Sequence, residues 1–276
     1  MGKLWGVAPD HAYADGNRWG APLYRWDGRG WRPIRQREGE AVTAIWASGE
    51  DNVFVATAEG TTDTGGSRVS IAHSNGAEWT TSRWHRVVRG LWGPSPGEAW
   101  AVGDGGLIQR HVKGRWRQER SPTRAHLSAV WGSGPDDVWA VGTGGTVLRW
   151  RGDAWASVPS GTDRALTSVW GSGPDDVWIA AWGVGVGGLL HWDGSSFTLG
   201  EQCRYATMVF TTGPRDVWAD NGQGNTCHFD GVSWRFFALP VDKRVVAFWG
   251  ERDRVLALAG PDVFEFVGPS APAPTP

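Results

Sequence analysis

Residues 130–142 read VWGSGPDDVWAVG, and residues 169–181 read VWGSGPDDVWIAA. Near-copies this close in sequence indicate a repeat, and working outward in both directions gives seven. A first aromatic column runs through Trp5, Trp46, Trp92, Trp131, Trp170, Phe210 and Trp249, at steps of 41, 46, 39, 39, 40 and 39 residues. A second column follows eight positions later, at Tyr13, Phe54, Trp100, Trp139, Trp178 and Trp218, with Leu256 one residue early. A third comes just after a Gly-containing turn, at Trp31, Trp79, Trp116, Trp155, Phe197 and Trp234.

A period near 40 marked by Gly and aromatics is the pattern of propeller blades, each a small four-stranded sheet. In the fourth copy the strands read LSAVWG, DVWAVG, TVLRW and AWASV, separated by Gly-rich turns. One such sheet cannot bury its own faces, but a closed ring of seven can. The expected fold is therefore all-β: a seven-bladed propeller over residues 1–268, with blades starting near 3, 43, 89, 128, 167, 207 and 246. Small residues two before five of the seven anchors (Ala44, Gly90, Ala129, Ser168, Ala247; Met208 is an exception) should let the innermost strands crowd the axis. The seventh copy stops after VFEFVG and has no third-column aromatic, so its blade should have three strands. Residues 269–276 read as a Pro-rich disordered tail.

Composition agrees with this. The chain of 276 residues carries 21 Trp and 41 Gly, suited to short strands, tight turns and an aromatic interior. A formal net charge of −2 gives no general pull toward nucleic acid or anionic membranes. No run approaches the ~18 apolar residues of a membrane span. The opening MGKLWGV shows no basic-then-apolar leader. No zinc-protease, dithiol or phosphate-loop motif occurs, and no cofactor or metal is expected.

The segments L-Y-R-W-D-G-x-x-W at residues 23–31 and LLHWDGSSF at residues 189–197 resemble tectonin-type propeller repeats. The WGSGPDDVWAVG segment is similar to repeats of bacterial, especially myxobacterial, surface and lipoprotein propellers. The resemblance spans nearly the whole chain. It implies a recognition function, with glycans among the ligands. The Gly-x-x-Trp turn is also similar to the end of a sialidase Asp-box, but its Asp directly precedes the Gly, and no sialidase chemistry is carried over.

Four constellations stand out. Strand C carries Arg25, His73, Arg110, Arg149, His191, His228 and Glu265; strand B opens with Asn52, Glu98, Asp137, Asp176 and Asp216. This could be an anion or metal site, but the swap to Arg254 with Glu265 in the seventh copy favours cross-strand pairs, with Asp137 directly opposite Arg149. Most Trp belong to the core; Trp19 and Trp182, in B–C loops, and Trp84, after a strand D, lie off the columns and could stack on a ligand. Arg86, Arg124, Arg164, Arg204 and Lys243 lie in the D–A loops as a basic collar that could draw an acidic ligand, unless Asp163, Glu201 and Asp242 neutralise it. Tyr205 lies beside Arg204 as a further stacking surface. Cys203 and Cys227 fall in one blade, as a disulfide or as two free structural thiols.

The reading is a non-catalytic, monomeric, extracytoplasmic recognition module that binds a glycan or surface protein on its B–C and D–A loop face. A protein-assembly scaffold and a propeller hydrolase or lyase with a channel-mouth site are the alternatives.

Overall fold

In a computed structural model the chain is a ring of seven antiparallel sheets. The residues described are 3–16, 20–35, 39–59, 68–183, 187–200, 202–222, 224–238, 245–251, 254–259 and 262–267. Among the described residues, six sheets have four strands in the order A–B–C–D, and the seventh has three. In blade four these strands are Leu127–Gly134, Asp137–Gly142, Val147–Trp150 and Trp155–Ser157. Successive A strands lie side by side, and blade seven's (Val245–Glu251) packs on blade one's (Leu4–Ala8), closing the ring. Strand A of blades two, four and five has a register irregularity near each end. Such bulges add local twist.

The repeated Trp-Gly dipeptide explains how the blades seat on one another. A Cβ on Gly132 would lie 2.6 Å from the Trp92 ring of the preceding blade, and one on Gly171 would lie 2.7 Å from Trp131. Gly93 meets Trp46 at 2.6 Å, and Gly6 meets Trp249 at 2.0 Å across the ring closure. Each indole thus lies in the space a side chain would take. Two residues before the anchor, a Cβ on Gly90 would stand 3.1 Å from the Ala129 backbone, so small residues there do let blades approach closely. Near the axis, Trp5 of blade one meets Trp170 of blade five at 5.4 Å, and Trp170 meets Phe210 at 5.2 Å. Blades one and five are not neighbours, so indoles cross the axis at this level.

Farther out, a three-member aromatic wedge fills the space between blades. It takes one ring from strand B of the preceding blade and one each from strands C and D of the following blade. The sets are Phe54, His111 and Trp116; Trp100, Trp150 and Trp155; Trp139, Trp192 and Phe197; and Trp178, Phe229 and Trp234. Their centroids are 5.0–6.4 Å apart.

The meander places the A–B and C–D turns on one face of the ring and the B–C and D–A connections on the other. A Cβ on Gly152 would meet Asp136, and one on Gly194 would meet Asp175, both pairings of a C–D with an A–B turn. On the opposite face, Gly145 N donates to Arg164 O at 2.7 Å and Thr143 N to His126 O at 2.9 Å, tying B–C turns to D–A loops.

Candidate functional site

The polar column between strands B and C is built into the blades. Asp137 accepts from Arg149 Nε at 2.5 Å, Arg110 lies 3.5 Å from Glu98, and His191 and His228 reach Asp176 and Asp216 at 2.7 and 2.6 Å. In blade two His73 lies 2.9 Å from Asn52, and in blade seven the charges are exchanged, with Arg254 2.8 Å from Glu265. The pairs are not directly opposed, however. The register sets Arg149 opposite Trp139, so Asp137 is the diagonal neighbour on the same face. The reason is stacking: the strand C group lies over the strand B ring. Arg149 stands 4.4 Å above Trp139, His191 is 4.1 Å from Trp178, His228 3.9 Å from Trp218, and His73 4.0 Å from Phe54.

In blade five Asp176 accepts from Ser172, from His191 and, at 3.0 Å, from Trp178 Nε1. Burial alone would raise its pKa, but these hydrogen bonds and the adjacent imidazole outweigh burial and hold it below the usual carboxylate range. The serine hydroxyl donates to the carboxylate and not to the imidazole, so the set lacks the relay of a nucleophilic triad. Residues 93–97, GPSPG, spell G-x-S-x-G. They span the end of strand A and the A–B turn of blade three, without the strand-to-helix elbow that exposes a nucleophile.

The loop residues distribute unevenly. Arg86 is exposed and donates to Gly105 O at 2.9 Å. Arg124 is exposed in the next D–A loop. Arg164 packs near Gly183 at the junction of blades four and five. Arg204 and Tyr205 are exposed beside buried Cys203, with Tyr205 at φ 66°. Trp182 is the last residue of strand B (Asp176–Trp182), not a loop residue, and is 53% exposed. Trp84 likewise ends strand D of blade two (Trp79–Trp84) and packs edge-on against Trp116 at 5.1 Å. Trp19 and Lys243 lie outside the described residues, as does the tail at 269–276. Cys203 and Cys227 form a disulfide with Cα atoms 5.8 Å apart.

Arg86 and Arg124 belong to a larger feature, a groove of ≈1380 Å³ between blades two and three. Its walls are strand D of blade two and strands C and D of blade three (Leu107–Val112 and Arg115–Gln118). Arg83, Arg86, Arg115, Arg120 and Arg124 line it, and Glu119 is the only carboxylate among the described lining residues. None of Arg83, Arg115, Arg120 and Arg124 forms an ion pair among the described residues. Trp84 and Trp116 also line it. His73, which also lines the groove, has its pKa lowered first by burial and then by His111, whose ring is 5.7 Å away, so it adds little positive charge at neutral pH. His111 donates from Nδ1 to Gly97 O at 2.9 Å.

Reading down the repeat columns missed this groove, because columns compare blades and this charge is concentrated along one. The signal was present: residues 113–124, KGRWRQERSPTR, hold Lys113, Arg115, Arg117, Arg120 and Arg124 against Glu119 alone.

No protein-family model matches the chain, and no curated protein matches its sequence. Among solved structures, the chain is similar to YCF48 bound to D1 peptide, with TM-score 0.72, 15% identity and coverage of 98% of this chain and 93% of that one. It is similar to YCF48 from Cyanidioschyzon merolae, with TM-score 0.70, 17% identity and coverage of 96% and 94%. It is also similar to the WD40 β-propeller domain of Doa1, with TM-score 0.70, 10% identity and coverage of 97% and 93%. At these identities the likeness is one of fold.

Proposed function

We propose that the protein is a non-catalytic recognition module that holds an acidic segment of a protein partner in the groove between blades two and three. The observation that carries this reading is the groove's charge: five arginines face one glutamate in a chain whose net charge is −2. Arginines without carboxylate partners attract and orient anionic groups, and their planar forks suit carboxylates. The apolar walls at Trp84 and Trp116 add contact area beside the charge. A propeller of the same fold is bound to a peptide in the YCF48 structure, which supports a peptide ligand here. Catalysis has less support, because the Asp, Ser and His groups nearest one another pair strands within a single blade. The Cys203–Cys227 bond supports an extracytoplasmic setting, where such bonds persist.

The test is binding of a fluorescein-labelled poly-glutamate peptide, followed by anisotropy, beside an array of acidic and neutral glycans. Peptide binding should weaken steeply with added salt. The Arg115→Glu/Arg120→Glu pair should lower affinity at least about tenfold, without changing the melting temperature. Arg164→Glu/Arg204→Glu, at other junctions, should leave it unchanged. Acidic-glycan binding without peptide binding would make the ligand a glycan. Affinity insensitive to both pairs would remove the groove from consideration. A thiol count on the native protein should find no free cysteine.

A further inference from the structure

Trp182 and Tyr205 are aromatic side chains that the fold holds out in water, 53% and 40% exposed. Along strand B of blade five, Trp178, Ala180 and Trp182 alternate onto the side that faces blade six. Trp178 meets Trp234 of blade six at 6.0 Å, and Ala180 packs in one apolar cluster with Cys203 and Ala206. Trp182 continues that line to the surface, at the end of the strand on the B–C and D–A face. Tyr205 lies between Cys203 and Ala206, in the D–A connection from blade five to blade six, and rises from the same cluster. A Cβ on Gly187 would lie 3.0 Å from Ala181 O and 3.5 Å from Tyr205 N. The backbone beside Trp182 and the backbone of Tyr205 therefore border one point.

The connection that carries Tyr205 is fixed in an unfavourable conformation. Among the described non-glycine residues, only Lys113, Cys203 and Tyr205 have positive φ, and two of them fall here, at 55° and 66°. Such angles cost an L residue free energy and persist only where the surroundings impose them. Three constraints do so. The disulfide to Cys227 anchors Cys203. Ala206 N donates to Cys203 O at 3.3 Å and closes the turn. The buried Asp220 carboxylate accepts from Thr207 N and Met208 N at 2.8 Å each, and from Thr207 Oγ1 at 2.9 Å. Tyr205 is thus presented on a rigid support, which limits the entropy lost when a ligand binds.

Two arginines flank the pair. Arg204 is exposed next to Tyr205. Arg164 lies along Gly183, the residue after Trp182, with Nη1 3.4 Å and Cγ 3.5 Å from the place of an added Cβ. These charges disfavour the cationic ligands that aromatic cages hold, and they favour an anion. Aromatic faces beside guanidinium groups fit a ligand with a flat apolar face and a carboxylate at its edge. An Asp or Glu side chain has the carboxylate without the face; an acidic pyranose has both. We infer that this surface binds an acidic sugar residue of a glycan, with the C–H face of the ring on Trp182 and Tyr205 and the carboxylate toward the flanking arginines. The site is separate from the basic groove between blades two and three and does not rest on that reading.

Titration calorimetry of the whole chain with trigalacturonate, its methyl ester and maltotriose tests this. Trigalacturonate should bind with a Kd below about 1 mM, and the two uncharged sugars at least about tenfold more weakly. Trp182→Ala and Tyr205→Gly should each weaken trigalacturonate binding at least about tenfold, with the melting temperature unchanged. Glycine suits the φ of residue 205, so that variant removes the ring and keeps the turn. Trp182→Phe should retain most of the affinity. Absence of saturation up to about 10 mM trigalacturonate overturns the inference. So does equal affinity for the acid and its ester, or binding that survives both ring deletions. Loss of poly-glutamate binding in Trp182→Ala also overturns it, because the surface would then be a peptide site. Arg115→Glu/Arg120→Glu should leave sugar binding intact; loss there would assign the sugar to the groove, so the two sites are read separately.

Discussion

Arg149 and Arg254 show how one motif gives different energetics in different surroundings. Both belong to the polar column between strands B and C, and both pair diagonally with a carboxylate. The side chain of Arg149 is only 8% exposed; it stacks on Trp139 and also donates to Pro174 O of the next blade at 3.2 Å. Its removal would leave Asp137 largely desolvated without its cation. Arg149→Ala should therefore cost about 3 kcal/mol. Arg254 and Glu265 are 43% and 42% exposed, and solvent screens their attraction. Arg254→Ala should cost less than about 1 kcal/mol. Urea denaturation of the two variants checks this, and equal losses would show that burial does not govern the column. The pairing itself was legible from the exchange of charges in the seventh copy. The diagonal offset was not, since it depends on which residues the pleat brings opposite one another.

The C–D turns show how a sequence motif shared by blades one and five acts at the scale of an element. In blade five Asp193 accepts from Ser195 N at 2.8 Å, Ser195 Oγ at 2.7 Å and Ser196 N at 2.9 Å. Gly194 follows at φ 96°, a region that disfavours any residue with a Cβ. Asp27 makes the equivalent bonds to Arg29 N and Gly30 N. These bonds favour the ionised carboxylate, with the Ser196 backbone bond the largest cause, and lower the Asp193 pKa from 3.8 to about 2. A lowered folded-state pKa contributes stability that is present above the unfolded value and is lost as pH falls through the folded one. Asp193→Ala should thus be less stable than the parent at pH 7, and the difference should shrink between pH 3.8 and about 2. Denaturation midpoints of both proteins at pH 7, 4 and 2 test this; a constant difference would assign the motif's role to packing. The D-G-x-x-W resemblance is accounted for at this level: it is a turn that delivers the strand D aromatic to its wedge.

At the scale of the molecule, the ring is held by contacts that repeat from blade to blade, so one oversized residue at an interface disturbs a closed structure. Gly132 is such a place, because an added Cβ would stand 2.6 Å from both Asp137 O and the Trp92 ring. Neither the strand backbone nor an indole wedged between blades yields easily. Gly132→Ala should cost about 1–3 kcal/mol through overpacking. Its denaturation curve should remain a single transition, because no blade buries its faces alone. A second transition, with blades three and four melting apart from the rest, would show that the ring does not act as one cooperative unit. The closed ring also sets the functional geometry, because it turns the outer strands of adjacent blades into groove walls.

By itself, the sequence determined the architecture. Seven repeats with aromatic columns at a period near 40 residues leave few alternatives to a ring, because each repeat exposes two apolar faces that only a neighbour can cover. The three strands described for the last blade also agree with the repeat pattern, in which Trp234 is the last third-column aromatic. Arg86 and Arg124 were legible as loop cations, each at its own junction. Only the tertiary structure decided that those two share a groove with Arg83, Arg115 and Arg120, and that Arg164 and Arg204 lie elsewhere. It alone placed Trp84 edge-on against Trp116 in that groove, and Phe237 of blade six against Phe266 of blade seven. The physical reason is that periodicity records what every blade must do to pack, whereas a binding surface is made where two blades meet and their differences add.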